Sequence, residues 1–135
     1  MYPLGERLSM AGESHSLARV EPLVLIAVGG FAGAILRYAF AMGMPSAIHG
    51  TLAANALGSF GLGVLLYERH LANAIAPETR LLAGTGFLSS FTTYSTFAVE
   101  TAALSPTLAA GNVLANYGLG MVGVLAGRAV ARGLV

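Results

Sequence analysis

Four long apolar stretches dominate the hydrophobic pattern of the chain. They cover residues 22–42, 47–67, 81–99 and 106–127, and the only formally charged residue within them is Arg37. A helix needs about 20 apolar residues to cross the hydrocarbon layer of a bilayer, and each stretch has roughly that length. The pattern therefore predicts an all-α membrane protein with four transmembrane helices joined by short loops.

The third stretch contains a cluster of glycines, hydroxyls and aromatic rings, GTGFLSSFTTYSTF, over residues 84–97. Ser and Thr hydroxyls compete with the helix for backbone hydrogen bonds, and Gly84 and Gly86 add conformational freedom, so a helix break near mid-membrane is predicted. Irregular backbone at that depth persists only where protein buries it or where it lines a polar cavity. A polar pathway or an ion site is expected at the break.

Polar stripes mark two of the other predicted helices. Thr51, Asn55 and Ser59 follow one another at i, i+4 and i+8, and Asn112 and Asn116 share a face of the fourth helix. An amide in lipid is costly unless it is hydrogen-bonded inside the bundle. Each asparagine alone is equally compatible with a clasp between helices and with a transport role. Together with the broken helix, the stripes favour the wall of a narrow hydrophilic passage.

Small residues at helical spacing predict close helix packing. Gly29 and Gly33 form a GxxxG pair in the first stretch, and Ala54 with Gly58 and Ser59 with Gly63 repeat the small-residue spacing in the second. Such pairs let a neighbouring backbone approach closely, so we expect them at helix contacts. In the fourth stretch, Gly123 and Gly127 share a face.

Neutral donors near the break favour an anion as the permeant species. Ser95 and Thr96 lie beside Tyr94 and Phe97, whose rings are three residues apart and so share a helical face. Ring edges and hydroxyl or amide donors attract an anion without a fixed charge that would trap it. Core packing is the alternative explanation for the two rings. No carboxylate lies at the centre of a stretch to relay protons, which favours passive flow.

Composition places the chain in the membrane class. It has 135 residues, of which 56% are hydrophobic and 10% charged, with a mean hydropathy of +0.73. Residues 1–20 are predicted to form a polar N-terminal tail, disordered or loosely bound, and residues 21–135 the transmembrane domain. The net charge of +1 carries no basic patch, which argues against nucleic-acid binding. No catalytic or metal-ligand arrangement is visible, so we do not expect an enzyme.

Three strings closely resemble the Fluc (CrcB) family of small bacterial fluoride channels. They are GGFAGAILRY at residues 29–38, GTLAANALGSFGLG at 50–63 and GFLSSFTTYSTF at 86–97. The resemblance implies an antiparallel, dual-topology dimer of four-helix subunits in the bacterial cytoplasmic (inner) membrane. It also implies two narrow pores, a structural sodium ion held by backbone carbonyls, and passive, fluoride-selective export from the cytoplasm down the electrochemical gradient.

The resemblance also implies roles for individual residues. It makes Arg37 a vestibule residue, whereas residue chemistry alone favours an anchor at the membrane interface. The carbonyls of Ser89 and Thr92 would hold the sodium ion. Two departures are Tyr94, where the family has phenylalanine, and Ser89–Ser90, where it has two glycines. The implied pore and fluoride-binding residues are Thr51, Asn55, Tyr94, Ser95, Thr96, Phe97, Glu100, Asn112 and Asn116.

Charge placement leaves the assembly open. Arg37 is alone at one end of the predicted bundle, and the positive-inside rule places both termini in the cytoplasm. An antiparallel homodimer and a heterodimer with an oppositely oriented paralogue are both compatible with this bias. The arginines at the other end are Arg7, Arg19, Arg69, Arg80, Arg128 and Arg132.

Two functions other than a fluoride channel stay open. One is a small multidrug-type proton-coupled antiporter, which would need a carboxylate in the first helix. The other is a non-conducting membrane assembly subunit.

Overall fold

The computed structural model describes residues 4–67 and 75–134, with side chains from residue 20 onward. Three long helices, α1, α2 and α6, surround a third membrane segment that is built from shorter pieces. In chain order the helices are α1 (Leu4–Gly43), α2 (Ala47–Leu66), α3 (Pro77–Arg80), a π-helix (Leu81–Leu88), α4 (Ser89–Phe91), α5 (Tyr94–Ala102) and α6 (Pro106–Gly133). All the regular elements in these described ranges are helical, which confirms the predicted all-α fold.

In the part of the chain that the structure describes, three helices are long and apolar enough to cross a membrane. They are Val20–Gly43, Ala47–Leu66 and Pro106–Gly133, with mean hydropathies of 1.9, 1.2 and 1.4. The third segment is divided into a first half (residues 77–91) and a second half, α5. The chain is therefore a multi-pass membrane protein of four helical segments, of which the third is bent.

The proposed tail continues α1 in its backbone, because this helix begins at Leu4. The sequence predicts a tail that is either disordered or loosely bound. The backbone of residues 4–19 is helical, which differs from the disordered state. Whether the tail is a separate unit stays a prediction. The sequence predicts that Arg7, Arg19 and Arg69 lie at the same end of the bundle. Their side chains are outside the part that the structure describes, so their positions stay a prediction.

The helix break lies at Thr92 and Thr93. Both residues are extended, with φ/ψ of −78°/154° at Thr92 and −149°/124° at Thr93. The predicted break is confirmed, and it follows the π-helix that contains Gly84 and Gly86. Threonine hydroxyls make local bonds on both sides of the break: the Thr92 hydroxyl donates to the Leu88 carbonyl (3.0 Å), and the Thr93 side chain caps the next helix.

Glycines bring α1 against the first half of the third segment. A Cβ atom added at Gly29 would overlap the carbonyl oxygen of Leu82, and one at Gly33 would overlap that of Phe87. From the other side, a Cβ at Gly86 would lie 2.7 Å from the carbonyl oxygen of Ile26. Each of these positions therefore requires glycine, and the predicted GxxxG contact in α1 is confirmed.

A second glycine contact joins α2 to α6. Added Cβ atoms would overlap the Val124 carbonyl at Gly63 and the Phe60 carbonyl at Gly127, and one at Gly123 would lie 2.6 Å from the Ala56 carbonyl. The small-residue spacing predicted in α2 lies at this contact through Gly63, and the glycine face of α6 lies opposite it. These contacts leave little room for large core side chains, so most large apolar residues face outward, among them Leu114 (74% exposed) and Tyr94 (71%).

Candidate functional site

Asn55 of α2 holds the break in place. Its Oδ1 accepts the backbone N–H of Thr93 (2.8 Å), and its Nδ2 donates to the Thr93 carbonyl (3.1 Å). A side-chain amide thus satisfies both backbone groups of one extended residue, much as a neighbouring strand would. This answers the requirement that polar backbone inside a membrane find a protein partner.

Thr93 also begins α5. Its Oγ1 accepts the backbone N–H of Thr96 (3.2 Å) and lies 3.0 Å from the Thr96 hydroxyl. An N-cap threonine satisfies one of the donors that a helix start leaves unpaired. The Ser95 hydroxyl lies 3.4 Å from Thr93 Oγ1, so the predicted hydroxyl pair surrounds the first turn of α5. Thr93 was not among the predicted site residues.

A chain of side-chain hydrogen bonds runs from the break along α6. Asn55 Nδ2 donates to Asn116 Oδ1 (3.1 Å), Asn116 Nδ2 donates to Asn112 Oδ1 (3.1 Å), and Asn112 Nδ2 donates to Thr101 Oγ1 (2.8 Å). Thr101 in turn donates to the Phe97 carbonyl (2.6 Å). Asn112 and Asn116 are buried, at 8% and 9% exposure. The polar stripes of α2 and α6 therefore meet at the break, as predicted.

The donors of two of these amides are fully used. Asn55 Nδ2 bonds the Thr93 carbonyl and Asn116, and Asn116 Nδ2 bonds both the side chain and the backbone carbonyl of Asn112. An amide NH2 group has two hydrogens. In this conformation neither nitrogen can donate to an ion unless it releases a bond that it already makes.

A groove of about 370 Å³ opens beside the amide chain, between α2, α5 and α6. Aromatic rings form part of its wall: Phe97 is buried (7% exposed), 5.9 Å from Tyr94 and 6.1 Å from Tyr117 between ring centroids. The Phe97 and Tyr117 rings meet edge to face, at 86°. The lining residues are Asn55, Ser59, Thr93, Tyr94, Phe97, Asn116, Tyr117, Gly120, Met121 and Val124.

Thr51 and Glu100 form a separate polar contact one turn from Asn55. The buried Thr51 hydroxyl (4% exposed) donates to Glu100 Oε1 at 3.0 Å. Glu100 Oε2 is buried and accepts no hydrogen bond within the described part of the chain. The contact joins α2 to the end of α5, so the predicted polar residues of these two helices are neighbours.

Arg37 contacts the break from α1. Its Nε donates to the Ser90 carbonyl at 3.1 Å, in a partly buried position. A continuous helix would supply that carbonyl with the N–H of Tyr94, which the break removes. The structure thus gives Arg37 a bond to the end of the first half of the third segment, which neither the anchor nor the vestibule prediction included.

Two further carbonyls lose their helical donors at the break. The carbonyl of Ser89 would bond the N–H of Thr93, which Asn55 takes, and that of Thr92 would bond the N–H of Thr96, which the Thr93 side chain takes. Ser89 and Thr92 also line a second cavity between α2 and the third segment. Carbonyl oxygens without a donor are suitable ligands for a small cation.

Most predicted site residues fall into one region around the break. Asn55, Asn116, Tyr94 and Phe97 line the groove, while Asn112 lies further along the amide chain. Sequence reasoning missed residues that make several of these contacts. They are Thr93, Thr101, Tyr117 and, through its carbonyl, Ser90. Spacing offered one usable signal, because Thr93 and Thr96 are three residues apart at a helix start.

Comparison with known proteins agrees with this architecture. Residues 24–128 match the family model described as CrcB-like protein, Camphor Resistance (CrcB). The chain belongs to the CrcB family. The match covers all four helical segments, so the Asn55–Thr93 contact and the amide chain lie inside the family region.

Relatives within the CrcB family carry the name of a fluoride channel. "Fluoride-specific ion channel FluC 1" of Haloarcula marismortui is 54% identical over 120 residues, covering 89% of this chain and 93% of the relative. The protein of the same name from Natronomonas pharaonis is 51% identical over 111 residues (82% and 93%). "Fluoride-specific ion channel FluC" of Methanocaldococcus jannaschii is 43% identical over 112 residues (78% and 87%).

Proposed function

We propose that this chain forms a passive, fluoride-selective channel that lets fluoride leave the cytoplasm. The groove beside the break is the observation that carries the proposal, because it combines hydroxyls, amides and ring edges without a formal charge on its lining. Neutral donors can replace the water around an anion and still release it. Family membership supports fluoride as that anion.

Fluoride would reach the groove past the aromatic rings. The edge of a ring is its positive part, and Phe97 is held by rings on two sides. Donation by Asn55 requires exchange of its bond to Asn116, since both of its hydrogens are used. We infer that fluoride substitutes for Asn116 Oδ1 as an acceptor while Asn55 keeps its two bonds to Thr93.

We propose that a second subunit, antiparallel to the first, completes each pore. The groove is open on one side, and its rim carries the exposed residues Tyr94, Tyr117 and Met121. Exposed apolar surface of this kind faces either lipid or a partner. An identical chain is the first candidate partner, and an oppositely oriented paralogue is the second, because the arginine bias would have to be overridden in a homodimer.

Topology can be measured directly because the chain has no cysteine. Ser105→Cys and Gly133→Cys introduce labelling sites at opposite ends of α6, and no atom lies within 4 Å of an added Cβ at Gly133. In intact cells, an impermeant maleimide will label part of both variants if the chain inserts in two orientations. Labelling of one variant alone would rule out the antiparallel homodimer and leave the heterodimer.

We further propose that the carbonyls of Ser89 and Thr92 hold a structural sodium ion. The lost helical donors at both carbonyls support this ligand set, and backbone oxygen suits a hard cation. A bound ion would replace the helical donors that these two carbonyls lose at the break. Replacing sodium by N-methylglucamine should lower the thermal unfolding temperature of the purified protein, whereas an unchanged temperature would contradict the proposal.

Efflux from liposomes tests the function. Vesicles containing the purified chain and loaded with potassium fluoride should release fluoride when valinomycin allows potassium to follow, as read by an ion-selective electrode. Vesicles loaded with potassium chloride should retain it. A proton-driven cation exchange would support the antiporter instead, and no flux of either ion would support the non-conducting subunit.

A further inference from the structure

A basic and aromatic cluster lies at the end of the bundle where α2 and α6 finish, away from the proposed pore. Arg132 Nε donates to the Tyr67 hydroxyl at 3.2 Å. The guanidinium carbons of Arg128 and Arg132 lie 5.7 Å and 5.9 Å from the centre of the Tyr67 ring. We call Tyr67, Arg128 and Arg132 the terminal arginine cluster.

The two arginines repel each other in the isolated chain. They are four residues apart on α6 and approach the same ring, and like charges at this spacing are unfavourable on a helix. Over the part of the chain that the structure describes, neither forms an ion pair with a carboxylate. An anion shared by both guanidinium groups would remove this repulsion.

The geometry points to phosphate as that anion. A guanidinium group presents its donors in a planar fork that matches phosphate, and stacking on an aromatic ring limits the orientations of the fork. Arg128 and Arg132 are both exposed, so their donors are accessible from outside the bundle. The Tyr67 hydroxyl fixes one of them through its bond to Arg132.

Position selects a lipid as the source of the phosphate. The cluster marks the ends of two membrane-spanning helices, where aromatic and basic residues meet phospholipid headgroups. Apolar residues continue from it toward the membrane centre: Leu66 is 67% exposed beside Tyr67, and Leu125 is 56% exposed one turn before Arg128. These two side chains give acyl chains a surface to contact.

We propose that the terminal arginine cluster binds the phosphate of an anionic phospholipid headgroup. In each chain that follows the positive-inside rule, this arginine-rich end lies at the cytoplasmic surface, whose leaflet holds anionic lipid. Basic pockets between membrane helices on that side bind such headgroups. The site takes no part in fluoride conduction, so lipid binding can be tested separately from the proposed channel activity.

Native mass spectrometry of the full chain in detergent tests the site. The apparent dissociation constant of dioleoyl phosphatidylglycerol is compared with that of dioleoyl phosphatidylcholine, which has the same acyl chains and no net charge. The protein should prefer phosphatidylglycerol, and Arg132→Gln should weaken that preference about fivefold. Arg37→Gln is the matched control, because it removes one arginine near the other end of the bundle and should leave the preference intact.

Three results would overturn the proposal. They are equal binding of the two lipids, a preference that survives Arg128→Gln/Arg132→Gln, and displacement of phosphatidylglycerol by millimolar inorganic phosphate, which would make free phosphate the ligand. Should the double variant fail to fold, Arg128→Gln alone provides the test, because among the described residues this exposed side chain makes only the ring contact. The preference of Arg128→Gln for phosphatidylglycerol over phosphatidylcholine should also fall about fivefold. An unchanged preference would exclude the terminal arginine cluster as the lipid site.

Discussion

Asn55 bonds both backbone groups of Thr93, across 38 residues of sequence and from a different helix. The contact explains how a helix can stop inside the membrane. The Thr93 N–H loses its helical partner, the Ser89 carbonyl, and bonds the Asn55 side chain instead, which also donates to the Thr93 carbonyl. The break is therefore a bonded structure, and the residues that shape the groove depend on it.

Asn55→Asp should abolish fluoride efflux. The carboxylate can still accept the Thr93 N–H, but it has no donor for the Thr93 carbonyl or for Asn116 Oδ1, and its charge repels an anion. Each lost bond between membrane helices is worth about 0.6 kcal/mol on average, so the protein should remain folded. The measurement is liposome efflux together with elution on size exclusion.

Ser59→Ala is the matched control for Asn55→Asp. Ser59 lies one turn further along α2 and lines the same groove, and its hydroxyl makes no hydrogen bond with the described residues. Efflux should continue in this variant. Equal loss in both variants would mean that any change of the α2 stripe closes the path, and the specific role of Asn55 would be lost.

Thr93→Ala and Thr93→Ser separate two roles of Thr93: its side chain caps α5, and its backbone bonds Asn55. Alanine removes the oxygen that accepts the Thr96 N–H, which should lower the free energy of unfolding by about 1 kcal/mol, while serine keeps that oxygen. Both variants keep the Thr93 backbone that Asn55 holds. Thermal unfolding in detergent, followed by circular dichroism, should therefore rank serine close to the native chain and alanine below it. The reverse order would show that the cap does not stabilise α5.

Close packing gives a third prediction, for α6. A Cβ at Gly127 overlaps the Phe60 carbonyl, whereas no atom lies within 4 Å of one at Gly118 in the same helix. Gly127→Ala must therefore push α2 and α6 apart, at a cost of about 1 to 3 kcal/mol. Gly118→Ala should be neutral or slightly stabilising, because alanine favours a helix over glycine. Similar unfolding temperatures for the two variants would contradict the close contact.

The helices and their glycine contacts could be predicted from spacing, because hydrophobic length and small-residue periodicity are local properties of a sequence. Gly29, Gly33 and Gly63 all lie at helix contacts, where the small-residue spacing placed them. The position of the break could not, since it depends on which residue Asn55 reaches from another helix. Gly84 and Gly86 lie before the break and at packing contacts. A Cβ added at Gly86 would overlap the backbone of α1, and one added at Gly84 would lie 2.7 Å from Leu65.

Side-chain partners were equally out of reach of local patterns. The sequence alone is compatible with two roles for each asparagine, a hydrogen bond between helices or a transport role. The structure shows that Asn55 and Asn116 form such a hydrogen bond between α2 and α6. The bond from Arg37 to the Ser90 carbonyl joins residues 53 positions apart. Such contacts follow from the arrangement of three helices around the break, which no single stretch specifies.

Phe97→Ile and Tyr94→Phe test the aromatic part of the path. Phe97 is buried between two rings, and isoleucine would keep an apolar side chain there while removing the positive ring edge. Tyr94→Phe removes only a hydroxyl, which makes no hydrogen bond with the described residues, and keeps the ring. We therefore expect Phe97→Ile to abolish efflux and Tyr94→Phe to conduct. If Phe97→Ile conducts as well, ring edges are not needed for passage and the Phe97 ring serves packing alone. If Tyr94→Phe stops conduction, the tyrosine hydroxyl is itself a ligand for the ion.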